Sequence, residues 1–167
     1  MTPSRTYIFP ALSPSLAGFK SHLRITSSDL DGELQVKLLA AVNAAENMIG
    51  QVIALSHFTV KVILTEYCLV LPSRPLVEVE AVSIDGVPFE GYTHSGRALC
   101  FPDEVIGHEV EITYTAGMKE VPYDIQAAIL LHASALFNNP VDSVETLPKA
   151  STNLLRPYRL WELPDRK

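Results

Sequence analysis

Long apolar runs are missing from this sequence of 167 residues, although 47% of its residues are hydrophobic. A membrane-spanning helix needs ~20 consecutive apolar residues, and no segment approaches that length. Residues 1–14 contain prolines and an early Arg5 but lack the apolar core of a signal peptide, so we interpret them as an N-terminal arm. The length and the hydrophobic share predict one domain, residues 1–167, with a substantial core and no membrane partner.

Cysteine is scarce as well. Cys68 and Cys100 are the only two, and they lack the close spacing of metal-binding cysteines. Both lie in segments rich in β-forming residues, so we expect buried thiols in a reducing compartment. A disulfide between them stays open at this point, because the sequence gives no distance between the two sulfur atoms.

Sequence motifs of catalysis are also missing. There is no phosphate-binding Walker loop, no dinucleotide-binding G-x-G-x-x-G and no G-x-S-x-G nucleophile turn. No two of the five histidines are four residues apart or form the H-x-E pattern of a zinc-binding helix. His132, which lies among alanines and leucines, is predicted to be a core or interface residue rather than a ligand. We therefore predict no enzyme, and no catalytic, cofactor-binding or metal-binding residues.

Basic residues are too few for a protein that binds nucleic acid tightly. The net charge is −6, and the excess lies in residues 57–120, which carry four basic and ten acidic side chains. A phosphate-binding protein concentrates lysine and arginine on one face, so tight DNA binding is not expected. Four glutamates of this region alternate with other residues, as on the solvated face of a sheet. They are Glu78, Glu80, Glu109 and Glu111.

Helical periodicity is strongest in the first third of the chain. From about Leu30 to Ile53 apolar residues recur every three or four positions, which predicts a long amphipathic helix. Ser28 and Asp31 resemble a capping pair at its start. Core packing within the subunit is the simpler interpretation of the apolar stripe, and a subunit–subunit face is the alternative. A short helix at residues 15–23 is predicted to precede it.

Strand-like alternation takes over at about residues 57–116, with a hairpin turn at Asp85-Gly86. An alanine-rich helix then begins near Pro122 and stops at Asn138-Asn139-Pro140. This order predicts an α+β fold, in which a helical core (the long second helix and the alanine-rich third helix) carries an inserted antiparallel β region. Residues 141–167 begin with a polar stretch that lacks periodicity, and they are predicted to form a loop and a C-terminal tail.

The tail contains residue types that are enriched at protein interfaces, notably arginine, tyrosine and the single tryptophan. In one interpretation, its leucines and its tryptophan fold back to complete the core while the arginines stay in solvent. In the other, the segment contacts a partner. The residues concerned are Leu154, Leu155, Arg156, Tyr158, Arg159 and Trp161.

Four stretches, taken in order, resemble the head–tail connector (adaptor) family of tailed phages and prophages. The helix, polar turn and long helix are LAGFKSHLRITSSDLDGELQVKLLAAVNAAENMIG, and the proline-flanked strands are LVLPSRPLVEVEAVSIDGVPF. The strand, Ala-Gly turn and helix are ITYTAGMKEVPYDIQAAILLHASALFNNP, and the closing motif is LLRPYRLW. Together these stretches span about Leu16 to Trp161, nearly the whole chain.

The resemblance implies a structural virion protein of the head–tail junction, made in the cytoplasm of a bacterial host. Members of the family form a ring of about a dozen subunits beneath the capsid portal. The ring extends the DNA channel and docks tail or stopper proteins. The implied partners are therefore the portal protein, tail or stopper proteins and further copies of the chain, while DNA passes without specific binding and no cofactor is needed.

Two surfaces gain candidate roles from this resemblance. The closing segment, from Leu154 to Trp161, becomes a candidate portal or subunit contact. The four glutamates become a candidate channel or rim face, since acidic walls repel the phosphates of passing DNA. The alternatives are another phage neck or tail-completion protein, and a small enzyme with an unrecognised site.

Overall fold

The computed structural model describes residues 4–8, 13–139 and 148–160. Within them the chain divides into two units. The β unit takes its residues from the ranges 1–9 and 54–119, and the helical unit takes its residues from 10–53 and 120–167. Helices and antiparallel sheets are thus segregated along the chain, which confirms the predicted α+β fold with an inserted β region. The assignment of residues 1–167 to a single domain stays a prediction.

The helical unit contains four α-helices and one 3-10 turn among its described residues. They are α1 (Leu16–Leu23), α2 (Asp31–Ile49), α3 (Tyr123–Asn138), α4 (Lys149–Leu155) and the 3-10 turn Arg156–Tyr158. α2 contacts the other three helices, and α3 contacts α1 and α4. The apolar stripe of α2 is buried within the subunit, as the core interpretation predicted. None of the helices in the described ranges combines the length and the hydropathy that a membrane span requires.

α2 is shorter than predicted because of its C-terminal end. Gly50 has a φ of 71°, and its N–H donates to the Glu46 carbonyl, so the helix ends in the left-handed conformation that favours glycine. The predicted capping pair was wrong. No side chain caps Leu30, and Asp31 donates its backbone N–H to the backbone carbonyl of Ser28.

The β unit contains eight strands in its described part. They are β1 (Ser4–Tyr7), β2 (Ser56–Ile63), β3 (Cys68–Val70), β4 (Leu76–Ile84), β5 (Val87–Pro88), β6 (Thr93–Ser95), β7 (Ala98–Cys100) and β8 (Glu109–Ala116). One antiparallel sheet has the order β1-β2-β8-β4-β5, and a smaller one has the order β3-β7-β6. The predicted hairpin turn, Asp85-Gly86, joins β4 to β5.

The first strand lies within the N-terminal arm and was not predicted. β1 pairs antiparallel with β2 at the edge of the larger sheet. Arg5 anchors it, since the guanidinium donates to Ser56 Oγ at 3.1 Å and to the Ala54 carbonyl at 3.2 Å. The same group lies 4.3 Å from the ring centroid of Tyr7. The bonds to Ser56 and Ala54 join parts of the chain that are far apart in sequence, so a strand of four residues leaves no readable pattern of its own.

Two bulges in β4 account for a break in its alternation. β4 has one residue too many relative to β8 at two places, Val77 and Glu80. Strict alternation would turn Val82 to the same face as Glu80. The second bulge exchanges the two sides of the strand for the residues that follow it. Val82 therefore pairs with Ile112 and is only 5% exposed.

The polar stretch after α3 contains helical structure that the sequence analysis missed. Residues 149–155, predicted as part of a loop and tail, form α4. Ser151 is fully buried, and its Oγ donates to the Ala128 carbonyl of α3 at 2.9 Å. A helix of seven residues is too short to be stable alone, so its contact with α3 determines it. Residues 140–147 and 161–167 lie outside the described part.

Candidate assembly surfaces

The four glutamates selected from the sequence lie on one face of the larger sheet. β8 buries alternate residues against the core, so Glu109 and Glu111 project from the opposite face. β4 runs beside β8, and Glu78 pairs there with Thr115. Glu80 reaches the same face, where its carboxylate accepts a hydrogen bond from the Thr115 hydroxyl. We call Glu78, Glu80, Glu109 and Glu111 the acidic face.

Two carboxylates of the acidic face are paired with groups of β2, the other neighbour of β8. His57 Nδ1 lies 2.7 Å from Glu80 Oε1, so this contact spans β8. Lys61 Nζ lies 3.1 Å from Glu111 Oε2. The other two glutamates have no ionic partner among the described residues. The carboxylates of the acidic face are therefore partnered where the face meets β2, and Glu78 and Glu109 lie without an ionic partner among the described residues.

A further acidic group extends this face at the β4–β5 hairpin. His108 Nδ1 lies 2.6 Å from Asp85 Oδ2, and the Glu109 N–H donates to Asp85 Oδ1 at 3.1 Å. These two bonds, the one with His108 above all, hold the pKa of Asp85 below its ordinary value of 3.8. Asp85 therefore stays ionised. The sequence identified its turn but not its partner, because His108 is distant in the chain.

The closing segment is attached to the C-terminal end of α2. Gln51 Nε2 donates to the Tyr158 carbonyl at 2.9 Å, and the Leu160 N–H donates to the Ile49 carbonyl at 2.9 Å. Leu155 is fully buried in the helical unit. For this leucine the structure shows the fold-back arrangement.

The remaining predicted residues of the closing segment differ in exposure. Leu154 and Tyr158 are half-buried, whereas Arg156 and Arg159 are exposed. Trp161 lies outside the described residues. A contact with a portal or a neighbouring subunit would therefore use the arginines before the leucines, and this interface role stays a prediction.

The two cysteines are not in the predicted state. A disulfide joins Cys68 and Cys100, which pair directly across β3 and β7. Cys68 is exposed and Cys100 is half-buried, because the neighbouring Leu99 faces the core and alternation turns both cysteines away from it. The expectation of buried thiols was wrong, since the sequence showed two β-like segments but not their pairing.

Catalytic geometry is not found in the described part of the chain. No group of three histidine, cysteine, aspartate or glutamate side chains could hold a metal ion there. A cavity of about 500 Å³ opens beside β4, but it contains none of the three described groups with a displaced pKa, Asp85, Tyr114 and His132. The lining of this cavity includes Glu80, Phe89, Glu90, Tyr92 and His94.

These features define a class: a small α+β protein with an acidic outer face and no convergent reactive groups in its described residues. No protein-family model and no curated protein sequence matches the chain. Solved structures do. The neck of an empty gene transfer agent particle, computed with C6 symmetry, contains a chain with a TM-score of 0.77 and 23% identity, and the similarity covers 100% of both chains.

Two further structures give the same result. The neck of a native gene transfer agent particle, computed with C12 symmetry, matches with a TM-score of 0.75 and 22% identity over 100% of both chains. The virion of a native gene transfer agent particle matches with a TM-score of 0.74 and 22% identity, covering 98% of this chain and 97% of the other. At this identity the likeness establishes the fold.

Proposed function

We propose that this chain is a structural protein of the neck, the head–tail junction of a phage or phage-like particle, and that it has no catalytic role. One observation carries the proposal. The similarity to chains in two neck structures covers 100% of those chains and 100% of this one.

We infer that several copies of the chain assemble into a ring. Cyclic symmetry repeats each component around one axis, and two of the similar structures were computed with C6 and C12 symmetry. A ring beneath the portal would extend the DNA channel and present a docking surface for tail or stopper proteins. These partners follow from the resemblance of the sequence to connector proteins.

The acidic face fits this function as a channel or rim surface. DNA carries one negative charge per ~1.7 Å of its axis, so a wall of carboxylates repels it and limits adhesion. Glu78 and Glu109 supply charge without a described ionic partner, and Asp85 adds an ionised carboxylate at the hairpin. DNA would then pass the neck without specific binding.

Negative-stain electron microscopy of the purified chain tests the proposal, with the chain alone and mixed with the portal protein encoded near it. We expect rings of the chain, or added density below the portal, and the images give the number of subunits. A chain that stays monomeric and leaves the portal unchanged would contradict the proposal. Binding to tail-tube protein in the same assay, without portal binding, would indicate a tail-completion protein instead.

A further inference from the structure

The outer side of α3 carries a single charged side chain. One side of α3 is buried, and it contains Ile125, Ala128, Ile129, His132 and Ala133. Since an α-helix has 3.6 residues per turn, the positions of these residues show which residues lie on the opposite, outer side. Asp124, exposed in the first turn, is the only charged residue among the 16 of this helix, and the spacing of seven residues places it along the same edge of that side as Leu131. We define the outer face of α3 as Tyr123, Ala127, Leu130, Leu131, Ser134 and Asn138.

Apolar atoms of this face are in contact with solvent in the single chain. Tyr123 is 87% exposed and Leu131 is 37% exposed. The one hydroxyl in the middle of the face is already used, because Ser134 Oγ donates to the Leu130 carbonyl at 2.7 Å. A solvated helix normally places several charged residues on its outer side, so an outer side with Asp124 alone at its edge indicates a covered surface.

The other long helix provides a contrast within the same unit. α2 carries Asp31, Glu33 and Lys37 towards solvent or at its margins, as a solvated helix does. The shortage of charge is therefore a property of α3 and not of the whole helical unit. The outer face of α3 is not part of the core, since the buried residues of this helix lie on the opposite side of the helix.

We propose that the outer face of α3 is one side of the contact between neighbouring subunits, so that its occupant is a second copy of this chain. The inference rests on the ring proposed above. Each subunit of a ring must present two different surfaces to its two neighbours. Permanent interfaces of this kind are depleted of charge and rich in apolar and aromatic residues, as this face is. DNA, in contrast, would require lysine or arginine here.

Matched glutamate substitutions test the inference. Leu131→Glu places a charge in the outer face of α3, while Val36→Glu places the same charge on α2, where Val36 is 64% exposed. Tyr123→Glu is a second variant of the face with little risk to folding, since acidic residues are favourable in the first turn of a helix. Circular dichroism melts check that all three chains fold.

Ring assembly is the readout, measured by mass photometry across a concentration series and by electron microscopy. We expect Leu131→Glu and Tyr123→Glu to weaken assembly at least tenfold, and Val36→Glu to assemble like the wild type. If the wild-type chain forms no rings, the proposed ring function fails and this inference fails with it. If the wild type forms rings and both variants of the face do so equally well, only the inference is overturned. It is also overturned if Val36→Glu loses assembly to the same extent, or if the variants of the face lose portal binding while their rings persist.

Discussion

At the scale of single residues, His132 shows how burial determines a charge state. Its side chain is 5% exposed on the core side of α3, and its Nδ1 has no hydrogen-bond partner among the described residues. Burial lowers the pKa of His132 below its ordinary value of 6.5, because the imidazolium form would lose its hydration. The folded chain therefore holds His132 neutral, while the unfolded chain takes up a proton below about pH 6.5.

This difference makes stability depend on pH with a definite sign. Between the lowered pKa and 6.5 the unfolded state binds more protons, so stability is lost as the pH falls through that window. In urea titrations of the purified subunit at a series of pH values below about 7.5, we expect His132→Gln to remove part of this loss. His22→Gln, at an exposed histidine of α1, is the control and should keep the wild-type dependence. Equal pH dependence in all three chains would contradict the assignment.

At the scale of elements, the junction after β8 depends on one glycine. Gly117 has a φ of 134°, and a Cβ at this position would lie 2.7 Å from Leu55 Cα. Its N–H donates to the Pro75 carbonyl at 2.9 Å, which fixes the chain at this close approach. The strand, Ala-Gly turn and helix of the sequence follow each other tightly because glycine alone fits between them.

Two glycine substitutions should have opposite effects on the free energy of unfolding. Gly117→Ala should lower the free energy of unfolding by about 3 kcal/mol, because alanine disfavours this backbone conformation and its methyl group would clash with Leu55. Gly32→Ala should raise it by about 0.5 kcal/mol, since Gly32 lies in α2 with nothing within 4 Å of an added Cβ. Chemical denaturation of both variants checks the signs. A loss below about 1 kcal/mol for Gly117→Ala would show that the junction relaxes.

The elements also show what the sequence can and cannot predict. α2 and α3 were predicted because each is long enough for its apolar stripe to repeat over several turns. β1, in contrast, depends on the contacts of Arg5 with residues about fifty positions away, and α4 depends on its packing against α3. The sequence also did not show which residues of β4 face the core. A bulge depends on the pairing with the partner strand and not on the strand's own pattern.

At the scale of the whole molecule, the acidic face is an example of partial prediction. Alternation showed that Glu78 and Glu80 share one side of their strand and that Glu109 and Glu111 share one side of theirs. That both pairs meet on one surface follows only from the pairing of β4 with β8, which the sequence did not contain in readable form. The charge-poor outer face of α3 was also not selected, because apolar residues of a helix are first interpreted as core.

The charge of the acidic face leads to a prediction for the assembled protein. Glu78→Lys combined with Glu109→Lys reverses the two carboxylates that have no described ionic partner, and it should make rings of the chain retain double-stranded DNA. The control, Glu66→Lys combined with Glu104→Lys, makes the same change in net charge at exposed glutamates of the β unit outside the acidic face. Co-sedimentation of rings with DNA measures retention.

We expect the acidic-face variant to retain several-fold more DNA than the wild type at roughly 50 mM salt, and to lose this excess by roughly 200 mM salt, because phosphate contacts are released as counterions return. The control should stay close to the wild type, since its lysines would lie away from the DNA path. Equal retention by the two variants would mean that net charge alone determines adhesion. The acidic face would then have no special position in the channel, and the surface that passing DNA meets would have to be sought elsewhere on the subunit.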